Sequence, residues 1–390
     1  MFPSIPTLVT AATVLASSAL ASPTPIPIAS SQVLSLVRRD NWTPPAGLNV
    51  TYQSEYNASL PSTMIFATGG TIAGRGSSST ASGVYQAGSI GVGALVDAVP
   101  ELLNVSNIYG VQIANVGSPS INSTIQLNMA QYANKVLCAE DSIFDSLVIT
   151  HGTDTLEETA FFMDLTVNCR KPVIIVGAMR PATALSADGP ANLYAAVKTG
   201  VFPDSKDRGA LIVMNDRIGS AFYTQKTHVN YLDTFKAPEP GYLGGLFNNE
   251  PFYYYGPATP KYKNTFDVTN VTSLPKVDIV YGHQETDPRI FESIVKYGDV
   301  KGIVLASPNG GVGVDSAITD TISSGIPIVR HVRINVGMIA PSETPRNGSV
   351  ISSGLINNQK SRIQLQLALA TGADPRAVFE DALREELYGN

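Results

Sequence analysis

Residues 147–160 read Leu147-Val148-Ile149-Thr150-His151-Gly152-Thr153-Asp154-Thr155-Leu156-Glu157-Glu158-Thr159-Ala160. A four-residue β-branched run enters a polar, glycine-bearing turn and leaves as a helical pattern over 155–167. Short continuous apolar runs suit strands buried on both faces, as in parallel sheets. The same grammar recurs outward from this unit. Met64–Ala67, Val173–Val176, Leu211–Met214, Val277–Val280, Gly302–Leu305 and Ile326–Val329 read as strands. Gly189–Lys198 and Asp315–Ser323 read as helices, and Asp374-Pro375 opens a terminal one to Tyr388. Alternating strand and helix predicts an α/β fold with parallel sheets.

The stretch 251–274, PFYYYGPATPKYKNTFDVTNVTSL, breaks the rhythm and reads as a linker. It divides a larger N-terminal parallel-sheet domain, 61–250, from a smaller C-terminal α/β domain, 275–390. Residues 40–60 form an N-terminal arm. In the 390-residue chain, 44% hydrophobic content supplies full cores. The net charge of −6 argues against nucleic acid, whose phosphates need clustered Lys and Arg. No stretch after the first residues is long and apolar enough for a membrane helix.

Residues 7–21 are apolar or small, and Ala19-Leu20-Ala21 is a cleavage-type site. Residues 1–21 therefore read as a signal peptide and the protein as secreted. Arg38-Arg39, closing residues 22–39, is either a pro-segment cleavage site or an ordinary exposed pair. Seven sequons begin at Asn41, Asn49, Asn57, Asn104, Asn122, Asn270 and Asn347. They predict a glycoprotein if the chain is exported. Cys138 and Cys169 are the two cysteines, lack metal spacing, and could form one bridge in an oxidising compartment.

Three strands end in polar turns: Thr68-Gly69-Gly70-Thr71, His151-Gly152-Thr153-Asp154-Thr155 and Gly177-Ala178-Met179-Arg180. Ligands of open α/β sheets bind beyond the carboxyl ends of strands. The glycines admit close backbone approach. Gly74–Ser82 reads as a hinge or lid. Thr155 and Glu158 have capping-box spacing, and a helix start offers free N–H groups to an anion. There is no G-x-S-x-G, H-E-x-x-H or P-loop motif, and the four histidines lack metal spacing.

Ala67-Thr68-Gly69-Gly70-Thr71-Ile72 and His151 through Ala160 resemble the two signatures of the type II, bacterial-type L-asparaginases. Gly177-Ala178-Met179-Arg180-Pro181, Ser186-Ala187-Asp188-Gly189-Pro190 and Val213-Met214-Asn215-Asp216 match as well. The resemblance runs from about Pro61 to the C-terminus. It implies a two-domain α/β fold and a homotetramer built from intimate dimers. It implies hydrolysis of L-asparagine to L-aspartate and ammonia without a cofactor. Thr71 is then the nucleophile and Tyr85 helps take its proton. Thr153, Asp154 and Lys226 are a second catalytic set. Gly70, Ser118, Thr153, Asp154, Ala178 and Glu343 would contact substrate, Glu343 from a neighbouring subunit. Cys138 and Cys169 match the family's disulfide.

The chemistry suits these types, because an amide is a poor electrophile and a hydroxyl needs activation. The sequence departs from the family at Pro119, where a glutamine contacts substrate, and at Gly311, where a second asparagine stands. Glu343 matches only with its loop shifted by one residue. Two rivals are a mixed glutaminase-asparaginase and a non-catalytic amino-acid binding protein. The latter needs Ser118 and Asp154 but has no use for Thr71, Tyr85 and Lys226 together.

Overall fold

The computed structural model describes residues 42–80, 85–309, 311–344 and 348–389. The signal-peptide and pro-segment readings, 1–21 and 22–39, lie outside them. Nine strands among the described residues form one sheet. Its order is Val50–Gln53, Asn107–Val116, Ser62–Gly69, Ser146–Thr150, Val173–Val176, Ala210–Met214, Arg217–Ser220, Gly244–Phe247 and Glu250–Tyr253. The five strands from Asn107–Val116 to Ala210–Met214 are parallel. The outer strands are antiparallel, which makes the sheet mixed.

The uninterrupted apolar runs serve two cores at once, because successive side chains on a strand point to opposite faces. Phe66, Ile149 and Ile175 pack with helices Ser123–Leu137 and Leu156–Thr166. Ile65, Val148 and Ile174 pack with helices Val92–Asp97 and Gly189–Val201. Two hairpins make the antiparallel edge. Asn215-Asp216 and Asn248-Asn249 each hold two consecutive residues at positive φ, between 52° and 63°. Paired left-handed residues give the hairpin turn whose twist matches its strands.

A second sheet is all parallel, in the order Val277–Tyr281, Gly302–Ser307, Ile328–Val332, Ile351–Ser352. Helices Arg289–Gly298 and Asp315–Ser323 cover one face. Helix Asn358–Thr371 covers the other and also packs on helix Leu156–Thr166. The terminal helical stretch contains a π turn at Ala377–Asp381 before Ala382–Tyr388.

Residues 251–274 begin inside an edge strand and then run back over the large sheet's helices. Phe266 N donates to Leu165 O at 2.8 Å, and Gln131 Nε2 donates to the carbonyls of Val268 and Val271 at 2.9 Å. The arm joins the sheet through Val50–Gln53, and Trp42 packs edge-on to Phe144.

Candidate active site

The carboxyl ends of strands Ser62–Gly69 and Ser146–Thr150 are neighbours in the sheet, so their turns meet. Contact is main chain to main chain. A Cβ on Gly70 would lie 2.3 Å from Gly152 Cα, and Gly70 sits at φ 78°. Only glycine satisfies both conditions without strain. Gly70 N is held by Val116 O at 2.9 Å. Thr71 follows, buried, and its Oγ1 shares a 2.5 Å hydrogen bond with Tyr85 Oη.

Tyr85 stands on a ribbon pairing Arg75–Gly76 with Tyr85–Gln86, and its ring lies over Gly74. The ribbon is tied to residues 182–185. Ala182 N donates to Gly74 O, Gly76 N to Thr183 Oγ1, and Leu185 N to Ser79 O, at 2.8–3.0 Å.

On the second turn, Lys226 Nζ donates to Thr153 Oγ1 at 3.0 Å and to Asp154 Oδ1 at 2.7 Å. Thr153 is buried, whereas the Asp154 side chain is 68% exposed and free to meet a ligand. The structure corrects the capping box. The Thr155 hydroxyl donates instead to Ser118 O at 2.9 Å, and no side chain caps the helix. Thr155 N reaches Ser118 Oγ at 3.3 Å, so Ser118 is drawn to the helix start that carries Thr153 and Asp154. The Glu158 N–H that a capping hydroxyl would take goes to the Thr155 carbonyl at 3.2 Å.

Ala178 is fully buried, and its methyl belongs to the core beneath helix Gly189–Val201. What it can present to a ligand is main chain. Asp188 fixes that turn by accepting from Met179 N and Arg180 N at 2.9 Å. Glu343 is exposed on a loop of the C-terminal unit, next to Ser342, whose carbonyl accepts from Arg384 Nε at 3.1 Å. Among the described residues, no hydrogen bond or ion pair links Glu343 to the Thr71–Lys226 cluster. Cys138 and Cys169 are joined in a disulfide.

Two supports stand beneath these turns: His151, which the sequence suggests only as a structural histidine, and Glu157, to which it assigns no role. His151 is buried, with Nδ1 2.8 Å from Gly152 O and Nε2 2.9 Å from Thr159 Oγ1. A carbonyl only accepts, so Nδ1 carries the proton and Nε2 accepts from Thr159. Burial pushes the imidazole down to about 4, keeping it neutral. Glu157, also buried, accepts the Lys226 N–H at 2.6 Å through Oε2. Nothing in the sequence separates Glu157 from Glu158 and Asp164, the other carboxylates of that helix.

The arrangement offers two hydroxyls on touching turns, each with its own proton partner, beside one exposed carboxylate. The family model "Asparaginase, N-terminal" matches residues 62–259, and "Glutaminase/Asparaginase C-terminal domain" matches 276–380. L-asparaginase 2 of Bacillus subtilis (strain 168) is 44% identical over 324 residues, covering 82% of this chain and 85% of that protein. Probable L-asparaginase 1 of Schizosaccharomyces pombe is 47% identical over 328 residues, covering 83% and 89%. The crystal structure of a probable cytoplasmic L-asparaginase from Campylobacter jejuni matches with a TM-score of 0.78 at 38% identity. That match covers 83% of this chain and 99% of the other.

This last likeness overturns the expectation of secretion. A protein named as cytoplasmic shares the fold over nearly its whole length, so the fold itself is no sign of export. The apolar leader on which that expectation stood lies outside the described residues. By both matched domains and by identity over most of its length, the chain belongs to the asparaginase family.

Proposed function

We propose that the protein hydrolyses L-asparagine to L-aspartate and ammonia through an acyl-enzyme on Thr71. The observation that carries this reading is the meeting of two hydrogen-bonded pairs, Thr71 with Tyr85 and Thr153 with Lys226, on turns in contact at Gly70 and Gly152. Thr71 Oγ1 attacks the side-chain amide carbon while its proton passes to Tyr85 Oη, which hands its own hydroxyl hydrogen on toward the amide nitrogen. The tetrahedral adduct collapses, the C–N bond breaks, and the nitrogen leaves as ammonia with that proton. Water then attacks the ester from the Thr153–Lys226 side, and aspartate departs as Thr71 recovers its hydrogen.

A hydroxyl needs such help because its proton is held tightly at neutral pH. The buried turn N–H groups supply donors for the oxyanion. Asp154 pairs with the substrate α-ammonium, and Ser118 with the α-carboxylate. Pro119 follows Ser118 and has no N–H to offer. In a homotetramer of intimate dimers, Glu343 of one subunit would complete a neighbour's site.

Ammonia release from L-asparagine and L-glutamine, measured side by side on the purified chain, tests the reading. Turnover of asparagine well above glutamine is expected. Equal rates would favour the mixed glutaminase-asparaginase, and no release from either amide would overturn the assignment.

A further inference from the structure

Lys226 is held by more than its side-chain partners. The chain leaves the large sheet at Ser220 and reaches Lys226 with little ladder support, since Gln225-Lys226 pairs only with Phe235-Lys236. The carbonyls of this crossing converge on one buried ammonium. Lys360 Nζ donates to Ala221 O at 2.9 Å, Phe222 O at 2.7 Å and Thr224 O at 2.8 Å, using all three of its hydrogens. Glu157 Oε2 takes the Lys226 N–H at 2.6 Å. Asn357 Nδ2 donates to Gln225 Oε1 at 2.8 Å and reaches Glu157 Oε1 at 3.5 Å. Asn357 also caps helix Asn358–Thr371, accepting the Lys360 N–H at 3.0 Å.

Glu157, Asn357 and Lys360 are all buried. Burial pushes the Glu157 carboxyl up and the Lys360 amine down to about 8, and their opposite charges resist both shifts. A buried ion pair is weak evidence for stability, because the cost of desolvating both charges offsets their attraction. The polar set instead holds geometry. Glu157 stands four residues after Thr153 and three after Asp154, in the first turn of helix Leu156–Thr166, into which the turn bearing them leads. Its bond therefore fixes the Lys226 main chain relative to both groups that the Lys226 ammonium must reach.

We infer that Glu157, Asn357 and Lys360 form a buried clamp that sets Lys226 against Thr153 and Asp154, each acting as a positioning residue. The inference rests on the proposed role of Lys226, and it makes helix Asn358–Thr371 of the C-terminal unit part of the catalytic support. Glu157→Gln puts an amide N–H2 against either Lys226 N–H or Asn357 Nδ2, donor against donor. Lys360→Met leaves three carbonyls without their donor.

The test measures ammonia release over a range of asparagine concentrations and solves the crystal structure of each variant. In folded variants kcat is expected to fall about tenfold or more while KM stays within about threefold, since misplacing a catalytic group by about 1 Å can cost 10²-fold. Lys226 Nζ is expected to leave hydrogen-bond distance of Thr153 Oγ1. A folded variant with wild-type kcat, or one that keeps the 3.0 and 2.7 Å contacts of Lys226, overturns the clamp. If Lys360→Met does not fold, Glu157→Gln, which keeps side-chain volume, decides alone. Should the wild type release no ammonia, the functional reading fails, and the crystal structures still decide the clamp.

Discussion

Thr71 Oγ1 and Tyr85 Oη lie 2.5 Å apart, a hydroxyl pair that spans the first strand's turn and the ribbon standing over it. The proton between them can move without either segment moving. Tyr85→Phe removes the acceptor and keeps the ring on Gly74, so kcat is expected to fall by about 10²-fold or more with little change in thermal stability. Thr71→Ala removes the attacking oxygen and is expected to cost more than about 10³-fold. Steady-state ammonia release checks both, and near-normal turnover in either variant would remove that residue from the reaction.

Lys226 and Asp154 form an ion pair whose acid is mostly in solvent. Such a pair contributes little to folding, roughly 0–1 kcal/mol. Asp154→Asn should therefore melt near the wild type yet bind asparagine poorly, because the α-ammonium loses its charge partner. Lys226→Met should lower kcat about 10²-fold or more. Urea melts beside kinetics separate the two effects. A large stability loss in Asp154→Asn with unchanged KM would reverse the assignment.

Gly70→Ala tests the contact between the turns. The added methyl would stand 2.3 Å from Gly152 Cα at a positive φ, and a backbone neighbour cannot rotate away. The turns must part, taking Thr71 from Thr153. Loss of activity with a Tm lowered by several degrees is the expected result, and an active variant of wild-type Tm would show that the turns can separate without consequence.

The parallel centre of the large sheet was legible because burial on both faces leaves an unbroken apolar run, as at Val173–Val176. Asn107–Val116 escaped because Asn107, Gly110 and Gln112 interrupt its apolar pattern, although it is the longest strand described. Its Asn107 Nδ2 instead binds the carbonyls of Asn57, Leu60 and Pro61. The antiparallel edge carried a readable signal in Asn215-Asp216 and Asn248-Asn249. At the site, motif residues are local in sequence and could be matched. Lys360 could not, because its partners lie about 140 residues away and only tertiary packing brings them to it.

The Cys138–Cys169 disulfide closes a loop of 31 residues between helix Ser123–Leu137 and the strand at Val173. Loop-closure entropy in the unfolded chain gives it about 3–4 kcal/mol of stabilisation. Thiol labelling of unfolded, unreduced protein should find no free cysteine. Cys138→Ser/Cys169→Ser should unfold at lower urea while retaining kcat, since the two cysteines precede the N-terminal ends of strands Ser146–Thr150 and Val173–Val176 whereas the catalytic turns leave the carboxyl ends of the strands. Two labelled thiols, or an unchanged urea midpoint, would contradict this.

His151 makes acid stability depend on the turn itself. Its folded-state value of about 4 lies below the ordinary 6.5, so between these limits the unfolded chain binds the extra proton. The contribution is complete above about pH 6.5 and is lost as pH falls toward 4, by roughly 3 kcal/mol. Glu158 works with the opposite sign over part of this range, because burial pushes its carboxyl up to about 7. Comparison with His151→Gln isolates the imidazole. The wild type should lose more stability than the variant between pH 6.5 and 4, measured by urea melts, and its ring C–H resonances should titrate near pH 4. Parallel acid limbs, or a ring that titrates near 6.5, would mean that His151 meets solvent and does not hold the Gly152 carbonyl.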